Sequence, residues 1–188
     1  MQALETLRTG VADFGKDLRL NLQAVLDGAS VLDLKQRWGV AVAVAATLRE
    51  RELTRAVVAD ARAAVGEDVV DDALAAAAVM GMNNVFYRFR HLVGKEGYAS
   101  KPARLRMNRI AQVKGSKLDF ELFSLAASAL GACAACVQAH ERAVLDGGLS
   151  DDHVQDAVRI AAVLRGFAIA YDASVDSRID SNPAVEKA

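Results

Sequence analysis

Apolar side chains recur along this chain at intervals of three and four residues, the spacing that gathers them on one face of an α-helix. Leu18, Leu22, Val25 and Leu26 make such a stripe over residues 16–26, and Asp27-Gly28 breaks it. Asp33 is placed to cap a helix over 34–49. Beyond Trp38 that helix is apolar almost all round, which predicts a central position. Residues 52–65 are amphipathic again and end at Gly66. Residues 71–80 are alanine-rich and lead to Gly81, after which 83–93 reads as a separate helix stopped by Gly94. A short helix over 1–9 and a turn between Gly10 and Gly15 come before these. Gly97 to Pro102 reads as turn, with one turn of helix within 103–110. Ser150 caps a helix over 150–164, Gly166 interrupts it, and 167–175 continues it. Strand-like alternation and Val/Ile/Thr richness are scarce, so the predicted fold is all-α.

Composition agrees. Hydrophobic residues make up 53% of the 188 positions and aromatics only 5%, and small side chains favour close-packed helices. One helical domain over 1–175 is expected, followed by a polar tail over 176–188 that contains Asn182-Pro183. The net charge of −1 gives no electrostatic reason to expect nucleic acid. The opening MQALETLRTG lacks a basic-then-apolar leader, and the apolar run over 40–48 is too short to cross a bilayer. The expectation is a cytoplasmic protein without a membrane segment. In that compartment a lone Cys-x-x-Cys is more often redox-active or metal-binding than a structural disulfide.

The chemistry is concentrated between Glu121 and His140, which hold both cysteines, one of the three histidines and a carboxylate. An apolar helical run over 120–130 reaches Gly131, read as a left-handed helix stop. A second helix follows over 133–145. On it Cys133 and Cys136 are three apart, with His140 four further along the same stripe. Cys133 lies at the amino end, where backbone N–H groups without intrahelical partners stabilise a thiolate by roughly 0.3–1 kcal/mol. That amounts to about one pKa unit at most, so fuller activation needs His140 or the partner thiol. Shifted by fifty residues, 76–81 overlays 126–131, placing Asn83 over Cys133 and suggesting a repeated helix–Gly–helix unit. Since Asn is a good N-cap residue, the overlay puts Cys133 at an N-cap.

Blander readings stand beside these. Two cysteines on a core helix are simply small buried residues, Glu121 is an ordinary first-turn carboxylate, and His91 and His153 are structural or solvated. The segment from Met80 to Arg88 mixes amides, aromatics and a cation that could wall a pocket, and helix packing explains it as simply. Zinc would need Glu121 and some unwinding to converge with Cys133, Cys136 and His140, so no bound metal is expected. A thioredoxin arrangement requires a strand before its Cys-x-x-Cys helix, where this chain reads as helix.

At these residues the chain resembles the alkyl hydroperoxidase D (AhpD) family, related in fold to carboxymuconolactone decarboxylases. The resemblance is carried by Glu121-x11-Cys133-x2-Cys136-x3-His140. It extends to Lys16–Leu22, Met80–Arg88, Leu105–Asn108 and Phe120–Leu122. It implies an all-helical subunit forming a homotrimer, with thiol peroxidase activity and electron donation to the peroxiredoxin AhpC. Dihydrolipoamide would be the external reductant. It would be carried on a dehydrogenase-complex acyltransferase and kept reduced by lipoamide dehydrogenase, with no bound cofactor. By the same resemblance Cys136 is the peroxidatic thiol, Cys133 the resolving and more accessible one, and Glu121 with His140 the proton relay. Where family members carry Ser-His between the cysteines this chain has Ala134-Ala135, which removes a second imidazole and weakens the implied relay. Two other functions fit the same residues. One is a redox-linked adaptor with weak intrinsic turnover, the other a decarboxylase-like enzyme that does not use the cysteines.

Overall fold

The structure, a computed structural model, describes residues 1–180. The described residues form α1 (Gln2–Gly10), α2 (Lys16–Asp27), α3 (Leu34–Leu48), α4 (Arg51–Val65), α5 (Glu67–Val93), α6 (Glu96–Ala99), α7 (Lys117–Leu130), α8 (Ala134–Asp146) and α9 (Asp151–Asp180). Single 3₁₀ turns occur at Asp13–Gly15 and Asn108–Ala111. The all-α expectation holds.

Helix α3 is the axis of the bundle. It starts on a capping box in which Asp33 accepts from the Gln36 N–H and Gln36 reaches back to the Asp33 N–H. From Val40 to Ala45 every residue is fully buried, because α4, α5, α7 and α9 all pack against it. Alanine and glycine permit this crowding. A Cβ on Gly39 would lie 2.0 Å from the Phe123 ring of α7. Polar staples fix the periphery. The buried carboxylate of Asp60 on α4 accepts from the N–H groups of Ala3 and Leu4 at 3.0 and 2.9 Å, capping α1 from another helix. Asp72 on α5 accepts from Arg109 and from the Lys114 and Gly115 N–H groups, which anchors the otherwise irregular segment ahead of α7.

Three expectations are corrected. Helix α5 runs unbroken through Gly81, where solvent surrounds the backbone and nothing lies within 4 Å of a would-be Cβ. A helix-interior glycine costs only about 1 kcal/mol relative to alanine, less than burial of Ala73, Ala76, Ala77 and Met80 returns in the turns before it, and Asn83 and Asn84 are buried just after it. The helix–Gly–helix repeat is therefore absent from the first half, and Asn83 lies within a helix instead of capping one. Helix α9 likewise continues through Gly166, whose smallness serves a close approach, since a Cβ there would meet Leu18 Cδ1 at 2.7 Å. The polar tail expected from Asp176 starts inside α9, which continues to Asp180; 181–188 lie outside the described residues.

By length and composition α5 could cross a membrane, with a mean hydropathy of 1.2 over its best 18-residue window. In the fold its apolar face packs on α3 and α7, and it also buries Asp72, Asn83 and Asn84. This helix belongs to the protein core. Its unbroken passage through Gly81 also sets Met80, Asn83, Asn84 and Tyr87 within two turns of one another, beside the paired cysteines.

Candidate active site

Helix α7 begins on Ser116, whose Oγ accepts from the Asp119 N–H at 3.1 Å. Its apolar face, Phe120, Leu122, Phe123 and Leu125 to Ala127, is buried against the core, which leaves Glu121 half-buried and turned toward α8. With the helix starting at Lys117, Glu121 sits in the second turn rather than the first.

The turn between α7 and α8 departs from expectation. Gly131 has ordinary right-handed angles (φ −73°, ψ −7°), and the left-handed residue is Ala132 at φ 50°. Gly131 is needed for a different reason. A Cβ there would fall 2.4 Å from Asn84 Nδ2 and 2.9 Å from its Cγ. Asn84 is held in that position because its amide donates to Ala127 O at 3.4 Å and accepts from Ser128 Oγ at 3.0 Å. One turn further along α5, Arg88 donates to Gly131 O at 2.8 Å. These contacts brace the end of α7, where Ala127 O also accepts from the Gly131 N–H at 3.2 Å. They also fix the turn that presents the first cysteine.

Cys133 then adopts extended angles (φ −95°, ψ 94°) and caps α8, its Sγ accepting from the Cys136 N–H at 3.4 Å. The N-cap position reached through the overlay is correct, although the first half supplies no matching cap. Cys133 and Cys136 form a disulfide with their Cα atoms 5.3 Å apart, within the usual span. Cys133 is fully buried and Cys136 is 7% exposed. This reverses the accessibility implied by the resemblance, because the extended cap turns Cys133 inward while Cys136, on the first turn, faces an opening.

That opening is a pocket of about 330 Å³ lined by Met80, Asn83, Tyr87, Met107, Ala135, Cys136, Ala139 and His140. Its wall is mostly apolar, and it reaches one sulfur of the pair. Ala135 presents a methyl group to it, at the position where the resemblance implies an imidazole.

His140 lies one turn beyond Cys136 on α8. Its Nδ1 is 2.7 Å from Glu121 Oε2 and its Nε2 is 3.1 Å from Met80 Sδ. The side chains of His140 and Glu121 are 16% and 20% exposed, so the pair is largely shielded from bulk water. Glu121 orients the ring and leaves Nε2 as the nitrogen available for proton exchange. A thioether only accepts, so a hydrogen bond to Met80 requires a hydrogen on Nε2.

The four residues singled out from sequence thus converge, and segment 80–88 does wall the pocket. Met107 was missed because it lies in irregular chain about thirty residues before the cysteines. The roles of Asn84 and Arg88 as props were also missed, since nothing local marks a side chain that caps another helix. Among the described residues no group of three or more His, Cys, Asp and Glu side chains is arranged to hold a metal ion. His91 is exposed, and His153 Nδ1 pairs with Ser150 Oγ at 2.8 Å at the start of α9. Neither lines the pocket.

Residues 97–174 match the carboxymuconolactone decarboxylase family. The chain is 57% identical over 172 residues to a protein of Anaeromyxobacter dehalogenans (strain 2CP-C) named alkyl hydroperoxide reductase AhpD, covering 92% of each chain. It is 48% identical over 171 residues to a protein of the same name from Rhodospirillum centenum, covering 91% of each. A third of that name, from Brucella canis, is 40% identical over 172 residues, covering 92% of this chain and 98% of its own.

Proposed function

The chain belongs to the AhpD family of alkyl hydroperoxide reductases, within the carboxymuconolactone decarboxylase superfamily, and from that membership we propose that it reduces organic hydroperoxides through the Cys133–Cys136 pair. The observation that carries this reading is the coincidence of three features at the pocket. They are a disulfide at a helix start, an apolar cavity reaching Cys136, and a histidine held by a carboxylate one turn away.

In the reduced enzyme His140 Nε2 takes the Cys136 proton while Glu121 steadies the ring through Nδ1. The Cys136 thiolate attacks the distal peroxide oxygen, breaking the O–O bond, and becomes a sulfenic acid as the alkoxide departs with a proton. Cys133 then condenses with the sulfenic acid and releases water, restoring the disulfide. A dithiol reopens it by exchange: its thiolate attacks the pocket-facing Cys136 sulfur, Cys133 leaves, and the second sulfur of the dithiol then displaces Cys136, to which His140 Nε2–H supplies a proton. Exposure supports the division of labour, since Cys136 rather than Cys133 faces the pocket. No bound metal or flavin takes part.

The donor in this scheme is dihydrolipoamide on a dehydrogenase-complex acyltransferase, recharged by lipoamide dehydrogenase. The enzyme also passes electrons to the peroxiredoxin AhpC. It works as a cytoplasmic homotrimer. The Ala135 methyl, standing in the pocket without an acid–base group, favours a slow direct peroxide step and so gives weight to the transfer role.

The test adds an organic hydroperoxide to the dithiol-reduced protein and counts free thiols. Two thiols per chain should disappear, and Cys136→Ser should abolish peroxide consumption. Continued turnover in that variant would refute the assignment. Turnover with dihydrolipoamide alone separates an enzyme from an adaptor that needs the peroxiredoxin, and full activity without either cysteine would indicate decarboxylase-like chemistry.

A further inference from the structure

Two neighbouring asparagines on α5 have opposite fates. The amide of Asn84 is fully occupied by Ala127 O and Ser128 Oγ. Asn83 is only 7% exposed, its side chain makes no hydrogen bond among the described residues, and its Oδ1 is enclosed without a partner. It lines the pocket beside Cys136 and His140. Turning the amide over would only exchange which atom is orphaned. Buried polar groups are overwhelmingly paired, and an unpaired one calls for an explanation. A leucine of similar size would fill this space without that penalty, so the carboxamide is accounted for by the use of its other end, Nδ2, toward a ligand in the pocket.

We infer that Asn83 is a catalytic hydrogen-bond donor, its Nδ2–H aimed at the proximal oxygen of a bound alkyl hydroperoxide. This rests on the peroxide-reduction reading and deepens it. With Oδ1 enclosed, Nδ2 is the end of the amide that reaches accessible space. When the Cys136 thiolate attacks the distal oxygen, the S–O bond forms as the O–O bond breaks. Sulfur is oxidised, the peroxide is reduced, and the electron pair remains on the proximal oxygen as an alkoxide. That charge develops in a mostly apolar pocket, where a donor fixed by the fold is worth far more than in water. Asn83 holds the alkoxide until the proton that His140 Nε2 took from Cys136 is transferred to it, and the alcohol leaves. Met80, Met107 and Ala139 offer apolar contact to the organic group but no hydrogen to the oxygen.

The experiment compares two oxidants whose leaving groups differ in basicity: tert-butyl hydroperoxide, which expels an alkoxide, and peracetic acid, which expels a stable carboxylate. Single-turnover thiol oxidation is followed in the wild type, Asn83→Leu and Asn83→Gln. Asn83→Leu removes an unpartnered polar group and is expected to fold. Circular dichroism and a Tm no lower than that of the wild type verify this. Loss of one oxyanion donor typically costs about 10²–10³-fold in rate. The leucine variant should slow with tert-butyl hydroperoxide by about a hundredfold on that basis, and much less with peracetic acid. The glutamine variant should recover part of the loss. Equal slowing with both oxidants, or none with either, would overturn the role of Asn83 while leaving peroxide reduction standing. Failure of the wild type to consume either oxidant would overturn both.

Discussion

Replacing Gly131 with alanine tests how the cysteine turn is held. Backbone conformation gives no reason for a cost, because φ −73° and ψ −7° suit any residue. The new Cβ, however, would lie 2.4 Å from Asn84 Nδ2, 2.9 Å from Cγ and 3.0 Å from Cβ. The first two are distances that real Cβ contacts do not reach. Asn84 is 3% exposed and is held by its hydrogen bonds to Ala127 O and Ser128 Oγ. Overpacking of this kind costs about 1–3 kcal/mol, and each displaced Asn84 hydrogen bond adds about 0.5–1.5 kcal/mol. We expect Gly131→Ala to lose about 2–4 kcal/mol, lowering Tm by roughly 4–16 °C at this chain length. Urea unfolding at fixed protein concentration measures it, within a double-mutant cycle. In an Asn84→Ala background only the 3.0 Å contact remains, so the same substitution should cost at least about 1 kcal/mol less there. An equal cost in both backgrounds would refute the packing explanation and favour a backbone requirement at Gly131. A cost below about 0.5 kcal/mol, the usual range for inconsequential surface changes, would refute both.

The complementary substitution is Ala132→Gly. A left-handed alanine carries a penalty of roughly 1–2 kcal/mol, offset in part by the greater unfolded-state freedom of glycine. A net gain of about 0.5–1 kcal/mol is expected in the same unfolding assay, and a loss would contradict the φ of 50°. Glu121→Gln keeps a hydrogen-bonding group at His140 Nδ1 but removes the charge. Peroxide kcat/KM should fall about 10- to 100-fold, toward the lower end for general acid–base groups, and an unchanged rate would exclude Glu121 from the proton relay. Burial holds the Asp119 carboxyl above its ordinary range, with a hydrogen bond from Gln36 opposing the shift. The folded state therefore binds this proton more tightly than the unfolded chain. The stability it contributes is full below the ordinary carboxylate value and is lost as pH rises through the folded pKa. Asp119→Asn should be more stable than wild type at neutral pH, with the difference shrinking toward about pH 4. A gap in urea midpoint that stays constant with pH would contradict this.

Periodicity, caps and cysteine spacing made most of the helices legible from sequence, and the family resemblance added Glu121 to the cysteines and histidine as the site's four candidate residues. Those signals are local: a 3.6-residue period, an Asp33 cap and Cys133-x-x-Cys136-x-x-x-His140 each follow from neighbouring positions. Glycine misled at 81 and 166 for one common reason, and at 131 only in its conformation, since α7 does end there. The cost of a glycine inside a helix is small beside the burial available on either side, and whether it ends a helix or admits a neighbour depends on what packs there. At Gly131 that neighbour is Asn84, 47 positions earlier. Tertiary structure alone decided that α5 runs on past Gly81 and carries Met80 to His140, Asn84 to the cysteine turn and Asn83 into the pocket. It alone also turned Cys133 inward and left Cys136 facing out. These are contacts across dozens of residues, fixed by how whole helices share one core, and no local pattern in the chain encodes them.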